Sequence, residues 1–96
     1  MTSNTGFEYD LGVVGLGYVG LPLAVESSQQ GLKVIGYDIN PERVEMINNG
    51  FSPIEDISND ELTNALNNFQ STSESGLLSK CQNIVISVPT LSLIHI

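Results

Sequence analysis

An α/β chain with a doubly wound parallel sheet is predicted by three observations. A short apolar strand pattern, Leu11-Gly12-Val13-Val14, runs directly into the glycine loop Gly15-Leu16-Gly17-Tyr18-Val19-Gly20. An apolar-periodic helix and a second strand follow, and that strand ends in Asp38. Strand and helix patterns keep alternating to Val88 with short connections, the order that lays helices over a parallel sheet.

The elements follow in turn. The first helix is expected to start near Tyr18 and run to Gln30, with Leu21, Ala24 and Val25 on one side. Pro22 falls in its first turn, where a missing amide hydrogen is tolerated. Lys33-Val34-Ile35-Gly36-Tyr37 gives the second strand. Asn40-Pro41-Glu42 then combines a cap, a proline at the first helical position and an acid in the first turn. Val44 and Ile47 mark the apolar side of this second helix, with Met46 beside it, and Asn48-Asn49-Gly50 ends it. Ser52-Pro53-Ile54 is a connector, and Ser58-Asn59-Asp60-Glu61 is a capping box opening a helix whose apolar side is Leu62, Ala65 and Leu66. Phe69 to Thr72 is expected as a short strand, Glu74 to Lys80 as a short helix, and Asn83 to Val88 as a fully buried parallel strand. The strand order of such a sheet is 3-2-1-4, so the last apolar strand lies beside the first.

The chemistry of the loop comes from what each residue permits. Gly15 allows a sharp turn off the strand, Gly17 allows a pyrophosphate to approach the backbone, and Gly20 allows the helix to pack close to the sheet. The helix start then offers unpaired amides and the positive end of its dipole to phosphate. Such loops also occur as plain structural turns. Here the strand before and the helix after favour the dinucleotide reading, a Rossmann-type arrangement. Asp38 lies 18 residues beyond Gly20, the spacing at which an acid reaches an adenosine ribose. A 2′-phosphate there would meet like charge, so NAD is expected over NADP. Arg43, in the first turn of the second helix, either contacts the adenosine end of the cofactor or points into water. Ser87-Val88-Pro89-Thr90 falls at the carboxyl edge of the sheet, next to the cofactor, where the Thr90 hydroxyl either reaches the cofactor or belongs to an ordinary strand exit ended by Pro89.

Composition closes off other classes. With 96 residues the chain holds one small domain, and a six-strand dinucleotide fold would need more, so about four strands of an incomplete domain are expected over residues 9–90. The formal charge is −8, and Lys33, Arg43 and Lys80 are the only fixed cations, so there is no basic stripe for nucleic acid. No apolar run approaches the ~20 residues of a membrane span, and Met1 to Glu8 reads as a loose tail, not a signal peptide. Cys81 is the only cysteine, which excludes an internal disulfide and fits a reducing compartment. It reads as a buried structural thiol, since the sequence supplies no base for it. Glu55, Asp56, Asp60 and Glu61 read as a solvated, helix-starting acidic face and not as a metal cluster.

The segments Val14-Gly15-Leu16-Gly17-Tyr18-Val19-Gly20-Leu21-Pro22, Gly36-Tyr37-Asp38-Ile39-Asn40, Arg43-Val44, Ile47-Asn48-Asn49-Gly50, Pro53-Ile54-Glu55 and Val88-Pro89-Thr90 resemble the start of the nucleotide-sugar 6-dehydrogenases. This family includes the UDP-glucose and UDP-N-acetylhexosamine dehydrogenases. The resemblance implies that Gly15 to Gly20, with Tyr18 and Val19, hold the pyrophosphate, that Asp38 binds ribose with help from Arg43, and that Thr90 faces the cofactor. It implies oxidation of the sugar's sixth carbon to the acid, with two NAD consumed and a cysteine thiohemiacetal and thioester on the way. The nucleophile and proton-transfer groups of that chemistry lie downstream of the matched segments, and Cys81 does not match the nucleophile. Leu21-Pro22-Leu23-Ala24 and Glu55-Asp56-Ile57-Ser58 lean toward the N-acetylhexosamine branch. A nucleotide-sugar substrate bound mainly by other regions, a homo-oligomeric full-length protein, and cytoplasmic synthesis of surface-polysaccharide precursors are further implications.

Leu91-Ser92-Leu93-Ile94-His95-Ile96 departs from the family pattern. It is what CTG TCT CTT ATA CAC ATC encodes, which resembles the end of a transposon-based sequencing adapter, so residues 91–96 are expected to be non-native and His95 to have no role. Two other readings stand beside the dehydrogenase. One is a non-catalytic NAD-binding module, and the other is a hydroxyacyl or phosphogluconate dehydrogenase sharing the fold. The latter pair has no mechanical need for Tyr18 to Pro22 or for Pro53-Ile54.

Overall fold

A computed structural model of the chain describes residues 7–87. Thr90, the expected tail 91–96 and the first six residues lie outside the described residues. Four strands, β1 (Tyr9–Val14), β2 (Val34–Tyr37), β3 (Phe69–Thr72) and β4 (Cys81–Ile86), form one sheet in the order β3-β2-β1-β4. Every pairing is parallel, with Val13 opposite Gly36 on one side and Val85 on the other. The doubly wound order and the place of the last strand are those the sequence predicts.

Helices α1 (Gly20–Gln29), α2 (Pro41–Asn48) and α3 (Asn59–Ala65) pack mainly over β1, β2 and β3. Their buried sides are Leu21, Ala24 and Val25, then Val44 and Ile47, then Leu62 and Ala65, as the apolar spacing requires. These side chains meet Val13, Leu16, Val34 and Phe69 in one core. The Asn40 side chain caps α2 by accepting from the Glu42 and Arg43 amides, and Ser58 and Glu61 form the reciprocal capping box of α3. Glu55, Asp56 and Asp60 are exposed.

Three local expectations are corrected. The first helix starts at Gly20, leaving Tyr18 and Val19 in the turn before it. The segment Ser75–Lys80 is a 3-10 helix, a tighter and shorter form suited to a six-residue crossover. The last strand covers Cys81–Ile86 and is not fully buried: Ile84, Val85 and Ile86 are 47%, 39% and 68% exposed. It lies at a sheet edge, and among the described residues the helices pack mainly over the other strands.

The two sheet edges differ in their cover. On β3, the outward backbone groups of Ser71 are taken by one side chain from α2: Asn48 Nδ2 donates to the Ser71 carbonyl at 2.9 Å, and Asn48 Oδ1 accepts from the Ser71 amide at 3.1 Å. The Ser71 hydroxyl donates to the same oxygen at 2.8 Å. Asn48 thus stands in for a neighbouring strand and blunts that edge. At the start of β4, Cys81 is buried against Gly12, where a Cβ would lie only 2.7 Å from its sulfur. Burial pushes the Cys81 thiol pKa up, which makes it a structural thiol as expected.

Replacing Asn48 by Ala is expected to cost about 2 kcal/mol by urea unfolding, because two backbone groups lose their partners. Asn48→Asp, which keeps the acceptor but loses the donor, should not restore stability. Cys81 should react with iodoacetamide only as fast as the protein opens. Alkylation at the rate of a free peptide thiol under native conditions would contradict its burial.

Candidate functional site

The carboxyl ends of β1, β2 and β4 meet at a cleft of about 560 Å³ lined by Gly15, Leu16, Gly17, Tyr18, Val19, Asp38, Arg43, Pro53, Ile54 and Ser87. That volume suits a cofactor-sized ligand, and this edge of the sheet is where such folds bind them. A smaller hollow of about 280 Å³, bordered by Tyr9, Lys33, Phe69 and Gln70, lies at the opposite edge and does not share these features.

The glycine loop is fixed by close backbone approach. Gly15 has a φ of +96°, and a Cβ there would collide with the Ser87 carbonyl oxygen. Its amide donates to the Tyr37 carbonyl at 2.8 Å, while the Ser87 amide donates to the Val14 carbonyl at 2.7 Å. A Cβ on Gly20 would collide with the Gly15 carbonyl oxygen, so the helix start rests directly on the turn. Gly17 differs from both. The one heavy atom near its Cβ position is Arg43 Nη1 at 3.6 Å, which leaves the backbone approachable from the cleft. No side chain caps the start of α1 at Val19; within its first turn the Leu21 amide donates to the Gly17 carbonyl at 3.1 Å, and Pro22 has no amide hydrogen.

Asp38 follows β2 and is 8% exposed. The Leu16 amide donates to its Oδ2 and the Asn40 amide to its Oδ1, both at 2.9 Å. Arg43 Nη1 stands 3.6 Å from Oδ2, with its side chain 37% exposed. The carboxylate thus ties the glycine loop to the start of α2 and still borders the cleft. Leu16 is fully buried, its methyl groups pressed over Gly36 beside Phe69. Tyr18 and Val19 are each 70% exposed at the cleft mouth. Of the predicted site residues, Gly15 to Gly20, Asp38 and Arg43 come together here.

Ser87 also lines the cleft, at the carboxyl edge where its place after the last strand puts it, and so do Pro53 and Ile54, which the sequence marks only as a connector. For Ser87 a signal was present: it directly follows the strand that neighbours β1. Pro53 and Ile54 are brought over by the connector after α2, whose path depends on Ser52 Oγ donating to the Ile54 carbonyl at 2.8 Å and on Asn59 Oδ1 accepting from the Ser52 amide. That path has no periodic signature. Cys81 begins β4, at the end of that strand away from the cleft. An acid, an open glycine and an uncapped helix start in one cleft fit a ribose followed by a pyrophosphate.

Known proteins share this sequence pattern and fold. The chain is 41% identical over 81 residues to the protein CapL of Staphylococcus aureus, covering 84% of this chain and 18% of that protein. It is 37% identical over 83 residues to the UDP-N-acetyl-D-glucosamine 6-dehydrogenase of Salmonella typhi, covering 86% and 19%. The solved structure of the UDP-D-ManNAc dehydrogenase of Pyrococcus horikoshii superposes with a TM-score of 0.77 at 33% identity, over 82% of this chain and 20% of that one. The chain therefore spans about a fifth of the length of the relatives it matches. Residues 9–93 match the model of the UDP-glucose/GDP-mannose dehydrogenase family, NAD binding domain, and the chain belongs to that family, whose NAD-binding domain it carries.

Proposed function

We propose that this chain is the cofactor-holding part of an NAD-dependent nucleotide-sugar 6-dehydrogenase, which oxidises the sixth carbon of a UDP-sugar from alcohol to acid. The observation that carries the reading is the meeting of Asp38, Gly17 and the uncapped start of α1 in one cleft. NAD, when bound, supplies the hydride acceptor.

The chain's own residues bind and orient. Asp38, already aligned by the Leu16 and Asn40 amides, accepts hydrogen bonds from the adenosine ribose. The backbone from Gly15 to Gly20, which ends at the start of α1, receives the pyrophosphate without any basic side chain. Tyr18 and Val19 flank the phosphates and Arg43 assists at the ribose; for Thr90, outside the described residues, a cofactor contact rests on the family resemblance alone. The names of the Salmonella and Pyrococcus relatives support an N-acetylhexosamine substrate, as do Leu21 to Ala24 and Glu55 to Ser58. Sugar binding, the cysteine chemistry and homo-oligomer formation belong to the whole protein. Its setting is cytoplasmic synthesis of polysaccharide precursors.

Calorimetric titration of the chain with NAD and with NADP tests the reading, and NAD is expected to bind at least about tenfold tighter. Equal affinities would remove Asp38 from the ribose. Gly17→Ala should leave the urea midpoint nearly unchanged, because its Cβ has room, yet it should weaken NAD binding by about tenfold or more by crowding the pyrophosphate. Gly20→Ala should instead lose the fold, since its Cβ meets backbone. Both variants behaving alike would sink the assignment of Gly17 to the phosphate.

A further inference from the structure

Nine asparagines occur in the chain, and Asn49 alone is followed by glycine. A glycine amide, with no side chain to crowd it, is the backbone nitrogen best able to attack the side-chain carbonyl of the asparagine before it. Asn49 is exposed, and its carboxamide has no hydrogen-bond partner among the described residues. The carboxamide of Asn48, by contrast, is held on Ser71.

The Asn49-Gly50 pair forms the end of α2. Asn49 is the C-cap, with ψ at 3°, and Gly50 follows in the left-handed region at φ +86°. The Gly50 amide donates to the Ile47 carbonyl at 3.0 Å and the Phe51 amide to the Met46 carbonyl at 2.9 Å, the paired closure of a Schellman motif. With ψ at 3° the Gly50 nitrogen eclipses the Asn49 nitrogen and is turned away from the Asn49 side chain. Reaching Cγ takes a rotation about ψ that breaks both closing bonds. The bonds that end the helix therefore also lock the reactive nitrogen.

We propose that Asn49 is a site of spontaneous covalent modification, deamidation, whose rate is set by local opening of the end of α2. In the open form the Gly50 nitrogen gives up its proton to solvent base and bonds to Asn49 Cγ, and the side-chain amide nitrogen leaves as ammonia. Water then opens the cyclic imide at either carbonyl, which gives aspartate or, with the main chain rerouted through the side chain, isoaspartate. Water is consumed, ammonia is released, and nothing is oxidised or reduced. Either product sets a carboxylate at the negative end of the α2 dipole. Isoaspartate also adds a methylene to the main chain between Asn48, which blunts the β3 edge, and the connector that brings Pro53 and Ile54 to the cleft. One modification thus loosens a sheet edge and a cleft wall together.

The test follows aspartate and isoaspartate at position 49 by peptide mapping while three samples stand in warm, mildly alkaline buffer: the native chain, the chain in urea, and a synthetic peptide from Glu45 to Pro53. The peptide and the unfolded chain are expected to react at similar rates, and the native chain at least about tenfold more slowly. Asn48→Ala frees the end of α2 from β3 and should speed the reaction in the native chain. Ser71→Ala, which removes only the hydroxyl bond to Asn48, is the milder variant with the same expected direction should Asn48→Ala not fold. Asn49→Gln should fold and lose the reaction, because its longer side chain cannot close the same five-membered ring. Native and unfolded chains reacting at one rate would remove the lock. A native rate unmoved by the folded variant at Asn48 or Ser71 would take control of the reaction away from the end of α2, and an unfolded chain that modifies other asparagines first would remove the site.

Discussion

Burying a carboxylate costs several kcal/mol unless its oxygens are filled, and Asp38 fills them from two chain segments at once. The Leu16 amide comes from the glycine loop after β1, and the Asn40 amide comes from the cap of α2. One charged group therefore fixes the distance between the glycine loop and the element that carries Arg43. Parallel pairing of β1 with β2 brings Val14 opposite Tyr37, so the two loops leave the sheet side by side and the bond can form. The cap then continues the chain of dependence, because Asn40 Oδ1 accepts from the Arg43 amide at 3.3 Å and sets where that side chain starts. Loop, acid and cation are one connected unit.

Backbone contact makes this unit rigid. The carbonyl of Gly15 lies where a Cβ of Gly20 would sit, and the carbonyl of Ser87 lies where a Cβ of Gly15 would sit. Neither approach can relax by rotating a side chain, so the loop keeps its shape before any ligand arrives. Such preorganisation lowers the ordering cost of binding. Gly17, the remaining glycine of the loop, has space in front of it, which separates the residues that hold the loop from the one that leaves it approachable.

The strand order, the helices and most of the cleft were legible because each rests on a local pattern: apolar period, caps, glycine spacing. The capping residues Asn40 and Ser58 act as their sequence motifs require. What stayed hidden depends on contacts far apart in the chain. Nothing around Asn48 announces that its side chain will pair with Ser71, 23 residues on, and nothing in Ser52-Pro53-Ile54 marks it as a cleft wall. The first helix starts later than its period suggests because Gly17 to Val19 must turn before the helix can rest on Gly15. At Ile84, Val85 and Ile86 the apolar pattern predicts cover on both faces, yet pattern reports what a strand needs and not what is at hand.

The two sheet edges show the same limit from the opposite side. β3 ends the sheet with its free backbone groups occupied by Asn48, a polar solution complete within the described residues. β4 ends it with apolar side chains exposed on both faces and no comparable device among those residues. An edge protected by a side-chain amide is built to terminate a sheet, whereas an edge of bare isoleucine and valine is built to be covered or extended. The cleft lies beside the second kind of edge, since Ser87 follows β4 directly. The part of the cleft between Asp38 and Gly17 is thus set by contacts complete among the described residues, whereas its Ser87 side adjoins the exposed strand.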